Sequence, residues 1–82
     1  MNQISKTKAV ELIKNSKGRF FTVTFKKNED NSLRTINGTF SAKSQNNDLG
    51  YLTINERKVG FRNVDTRNIK NITIGGVSYK VR

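Results

Sequence analysis

Eighty-two residues carry sixteen Lys and Arg against six Asp and Glu, a formal charge of +10 with no His to modulate it. The absence of both Cys and His excludes disulfide staples, thiol nucleophiles and the usual zinc ligand sets. One third of the residues are apolar and five are Phe, enough for the core of one small domain spanning residues 1–82.

Residues 5–17 are expected to form a helix, because Ala9, Val10, Leu12 and Ile13 share one side while Lys6, Lys14 and Lys17 lie elsewhere. Ser5 suits the N-cap, and Gly18 the left-handed position beyond the C-terminus. Glu11 is within reach of Lys14 or Asn15. So short a helix is marginal alone and must dock on something.

From Arg19 the period changes to two. Phe21, Val23 and Phe25 alternate with Phe20, Thr22, Thr24 and Lys26, the pattern of a half-buried strand. Asn28–Ser32 is a polar turn, and Leu33–Phe40 returns as a second strand with Ile36 and Phe40 inward. Gly38 shares their parity and allows a close approach, and Arg34 is expected at the rim. Ser44–Asp48 is a solvated loop. Tyr51–Asn55 is a third strand with Leu52 and Ile54 inward, Glu56–Lys58 a tight turn, and Val59–Asn63 a fourth strand. Its Val59 and Phe61 share the apolar face, which puts Lys58 and Arg62 opposite. Asp65 caps a single helical turn, and Ile69–Ile74 and Val77–Val81 close as a hairpin about Gly75-Gly76. A helix followed by five or six short, regularly spaced antiparallel strands implies a mainly β (α+β) fold that closes, or nearly closes, into a small barrel.

The run from Gly18 to Lys27, Gly-Arg-Phe-Phe-Thr-Val-Thr-Phe-Lys-Lys, and that from Ser32 to Asn37, Ser-Leu-Arg-Thr-Ile-Asn, resemble a group of small bacteriophage-encoded proteins with an SH3-like β-barrel fold. Gly50 to Ile54, Gly60 to Val64 and Ile69 to Tyr79 extend the resemblance over nearly the whole chain. Thr66 stands where the group more usually has Leu, and the loop at Gln45–Asp48 is shorter. The resemblance implies an SH3-like barrel and phage origin, but no established activity.

The six acids are scattered over a helix, turns and a cap, so no acid–base constellation forms and no enzyme is expected. Glu29-Asp30 lacks the glycine and terminal glutamate of a calcium loop, and Gly75-Gly76 lacks the Lys-Ser or Lys-Thr of a phosphate loop. No cofactor or metal is expected. Met1–Lys6 has no signal-peptide character and no apolar run could span a membrane, so a cytoplasmic location is expected, the host cytoplasm for a phage product.

The positive charge points instead to nucleic acid, held at its backbone with little base specificity. The candidate contacts are Arg19, Lys26, Lys27, Arg34, Lys58 and Arg62, with Tyr51 as a stacking ring. Each has a structural reading too. Phe20 is better placed as the floor of the helix than as a stacker, Tyr79 as core, and Arg62 as the partner of Asp65 or Glu56. Lys70, Lys80 and Arg82 form a second basic group, and Lys6, Lys8, Lys14 and Lys17 offer phosphate contacts along a duplex, without a base-reading set. The rival function is docking on a host protein through a groove or sheet edge, as a monomer or small homo-oligomer.

Overall fold

A computed structural model describes residues 2–27, 29–40 and 51–82. Along these run β1 (Asn2–Ile4), α1 (Lys6–Lys14), β2 (Phe21–Lys26), β3 (Leu33–Phe40), β4 (Tyr51–Glu56), β5 (Gly60–Asp65), a one-turn 3-10 helix (Thr66–Asn68), β6 (Ile69–Ile74) and β7 (Val77–Val81). The protein is mainly β with one α-helix among the described residues. The expected loop at Ser44–Asp48 and Asn28 of the first turn lie outside them.

Three expectations are corrected. The helix does not come first, since β1 precedes it. The sheet is not wholly antiparallel, because β1 runs parallel to β7 with Asn2 opposite Tyr79 and Ile4 opposite Val81. Nor does it close: among the described residues the strand order β1-β7-β6-β2-β3-β4-β5 leaves β1 and β5 at its two ends. A three-residue strand has no alternation to recognise, and it is held from outside, with the Arg82 N–H donating to the Ile4 carbonyl at 2.9 Å.

The sheet nevertheless bends back on itself. Four strand spacings separate β5 from β6, about 19 Å if the sheet were flat. The 3-10 turn leaves four Cα–Cα steps between Asp65 and Ile69, which reach no more than about 15 Å. The five strands β6-β2-β3-β4-β5 therefore curl, and their concave face holds Phe21, Val23, Phe25, Ile36, Leu52, Ile54, Val64, Ile69 and Ile72. Helix α1 adds Ala9 and Ile13 to the same cluster.

Local chemistry sets the joints. Ser5 caps α1, its hydroxyl accepting from the Lys8 N–H at 3.1 Å. The helix ends at Lys14, short of residue 17, and Lys17 and Gly18 turn the chain with positive φ. Glu11 pairs with Lys8 at 3.5 Å, in place of Lys14 or Asn15. Gly38 lies against the Asn55 carbonyl and Ile54 side chain, where a Cβ has no room. Gly75 and Gly76 both have positive φ, as the primed hairpin turn between Ile74 and Val77 requires.

The fourth expected strand is out of register. Val59 belongs to a three-residue turn, Arg57–Val59, in which Lys58 adopts φ +67°. Strand β5 starts at Gly60 opposite Glu56, so Arg62 and Val64 face Ile54 and Leu52 across β4. Phe61 and Val59 are therefore exposed rather than inward, and Arg62 shares the concave side with buried Val64. A one-residue change in where the turn closes is enough to invert the face.

Candidate nucleic-acid interface

Curling the sheet brings the end of the β2–β3 hairpin beside β5, the last strand of the sheet among the described residues. Between them lies a cleft of about 410 Å³. Lys26, Lys27, Glu29 and Arg34 line one wall, and Tyr51, Phe61, Arg62 and Asp65 the other. The hairpin wall is a tight turn: Lys27 and Ser32 join through a backbone hydrogen bond of 2.8 Å, and Asn31 adopts φ +61°. Asp30 fastens it, accepting from the Ser32 hydroxyl at 2.7 Å and the Ser32 N–H at 3.0 Å. Those two bonds, with the Lys27 charge, hold the Asp30 carboxyl below its usual range.

Five of the seven sequence-derived candidates meet here: Lys26, Lys27, Arg34, Tyr51 and Arg62. Lys58 does not, since it sits on the β4–β5 turn and lines two shallower grooves with Arg57. Arg19 is exposed just before β2 and also stands outside the cleft.

Behind the cleft, Glu56 is shared by two guanidiniums. Arg34 Nη2 lies 3.6 Å from Glu56 Oε1, and Arg62 Nε contacts the same oxygen. The carboxylate is only 13% exposed, against 32% and 36% for the two arginine side chains. One carboxylate answering two cations orients both and leaves one positive charge over. Of the two acids expected to pair with Arg62, Glu56 does so. Asp65 is committed elsewhere: it caps the 3-10 turn through the Arg67 N–H at 3.0 Å and grips the guanidinium with two bonds of 2.9 Å. That grip, with a smaller contribution from Tyr51, raises the already high pKa of Arg67. Tyr51 thus forms cleft wall while its polar end engages the turn.

The cleft presents four cations against two lining carboxylates, alongside the rings of Phe25, Tyr51 and Phe61. Among the described residues no group of three or more His, Cys, Asp or Glu side chains converges. No helix there is long and apolar enough to cross a membrane.

Sequence reasoning missed two residues. Parity with Val59 puts Phe61 inward, whereas the structure has it 62% exposed and lining the cleft. Phe20, expected beneath the helix, is 57% exposed, with the Arg57 guanidinium 5.8 Å from its ring centre. The signal for Arg57 was the charged turn Glu56-Arg57-Lys58, which says nothing about which ring it will cover. Compared with protein-family models, curated proteins and solved structures, the chain matches none.

Proposed function

We propose that this protein is a small nucleic-acid-binding module that holds the phosphate backbone by charge, with low sequence specificity. The observation that carries the proposal is the convergence of Lys26, Lys27, Arg34 and Arg62 from three strands and a turn on one cleft. A surplus of oriented cations beside aromatic walls suits a polyanion bearing flat bases. The β6-β2-β3-β4-β5 order, with one 3-10 turn returning the chain to β6, supports reading the curled segment as the SH3-like unit implied by the sequence resemblance. Phage origin rests on that resemblance alone.

The test is fluorescence anisotropy against single-stranded DNA, duplex DNA and RNA of equal length, each over a salt series. Binding is expected to weaken linearly in log–log form, by about 0.9 per phosphate neutralised on duplex and about 0.7 on single strands. Arg34→Glu is expected to weaken all three. Absence of binding at low salt, in protein shown to be folded, overturns the proposal.

One observation favours the rival reading. Among the described residues strand β5 is an edge and lines the cleft, which would offer an extended segment of a host protein backbone groups to pair with. Partners captured from host lysate that survive nuclease treatment, and are lost on Arg62→Glu, point to that reading.

A further inference from the structure

The outer face of the sheet is a polar surface of short side chains. Thr24 and Thr35 share a hydrogen bond of 2.9 Å, Thr53 donates to Asn63 at 2.7 Å, and Asn37 donates to the Thr22 hydroxyl at 3.2 Å. Leu33, 65% exposed at the start of β3, and two phenylalanines break this pattern. Phe20 and Phe61 are 57% and 62% exposed, although the protein has a core that takes Phe21 and Phe25.

Their positions are linked by register. Phe21 stands opposite Gly38, so Phe20 comes level with Thr39; Thr39 is opposite Asn55, and Asn55 opposite Phe61. The two rings thus terminate one cross-strand row whose middle positions carry only Thr39 and Asn55. Three strand spacings put them about 14 Å apart. A groove of about 480 Å³ lies along this row, its lining including Phe20, Thr39, Asn55, the acidic Glu56, Arg57 and Lys58. At the other end Phe61 forms part of the basic cleft. The row therefore runs continuously from the cleft to a ring over which a guanidinium is stationed.

We infer that Phe20 and Phe61 are base-stacking platforms for a single strand of nucleic acid, laid across the outer face of β3, β4 and β5. This rests on the proposed backbone-binding function and gives it a strand preference. The backbone lies in the cleft and along Arg57 and Lys58, and two bases separated along the strand rest on the two rings. Exposed rings flanked by cations suit this occupant because every base has a π-face, whatever its sequence. Duplex cannot use the rings, since its base faces are already stacked inside. A second copy of the chain is disfavoured by charge, because each copy brings +10 to a face that already carries Arg57 and Lys58.

The experiment compares labelled oligothymidylate with a duplex of equal phosphate number, for wild type and for Phe20→Ala, Phe61→Ala and Phe61→Leu. Both rings are largely exposed, so the variants are expected to fold, which circular dichroism checks. Stacking is worth about 1–3 kcal/mol per base, so each alanine variant should lose about 5- to 150-fold on the single strand. Duplex affinity and the salt slope should stay unchanged in Phe20→Ala, whose ring lies outside the cleft. Phe61→Leu, which keeps apolar area without a flat face, should behave like the alanine variant. Equal losses on both ligands, full retention by Phe61→Leu, or unchanged single-strand binding overturn the inference while leaving backbone binding intact. Wild type that binds neither ligand at low salt instead removes the function on which the inference stands.

Discussion

Replacing Glu56 by Gln is the perturbation that most directly interrogates the cleft. It removes the one negative charge to which both Arg34 and Arg62 are tied, while keeping the side chain's shape. If those guanidiniums meet phosphate, they are then free to do so fully. Removing a repelling charge about 4 Å from a phosphate is worth about 1 kcal/mol in water, or some fivefold in affinity. The one added positive charge, and so one added phosphate contact, should steepen the salt dependence by about 0.7 on single strands and about 0.9 on duplex. Stability should move the other way. Charge-assisted contacts are worth about 1.5–3 kcal/mol when sheltered, and partial exposure of both arginines reduces this to about 1–2 kcal/mol. For a domain of this size that lowers the melting temperature by about 5–15 °C. Anisotropy across a salt series and a thermal melt read the two effects separately. A folded variant with wild-type slope and unchanged or weaker binding would refute the reasoning, since Arg34 and Arg62 would then serve only the protein itself.

Three further outcomes follow from the packing and the first turn. Phe21→Ala empties a core position only 2% exposed and should cost about 3–5 kcal/mol, a large share of the total for such a chain; a loss below about 1 kcal/mol in urea unfolding would contradict the core assignment. Gly38→Ala drives a methyl into the Asn55 carbonyl and Ile54 and should cost about 1–3 kcal/mol, with no loss of melting temperature counting against that approach. The Asp30 carboxyl, lowered first by the Ser32 hydroxyl, should titrate by NMR below 3.8. Its contribution to the turn is then present above that value and lost as pH falls through the lowered one. Ser32→Ala should return the midpoint part of the way, and a wild-type midpoint at or above the ordinary value would sink the assignment.

Much of the architecture was legible locally. The alternation of Phe21, Val23 and Phe25, the Ser5 and Asp65 caps, the Gly75-Gly76 turn and the close approach at Gly38 are each decided by neighbours in sequence or by a single steric need. Charge alone collects Lys26, Lys27, Arg34 and Arg62, and outward parity collects Tyr51, although the face expected for Arg62 is inverted. The failures are of another kind. β1 is three residues long and exists only because the C-terminal strand offers it an edge. Val59 and Phe61 alternate as a buried pair would, and nothing local shows that the turn at Arg57–Val59 closes one residue later and sends them outward.

The sequence by itself therefore determined the charge, the strand and helix periodicities and the turn chemistry, because each depends on residue type and short-range geometry. Tertiary structure decided what those elements amount to together. The short 3-10 connection forces the sheet to curl, and the curl sets the β2–β3 hairpin against an edge strand three places away. Register across β4 and β5 then turns Arg62 toward Glu56 and Phe61 toward solvent. Those are pairings between distant parts of the chain, and their energies come from contacts that do not exist until the sheet has formed.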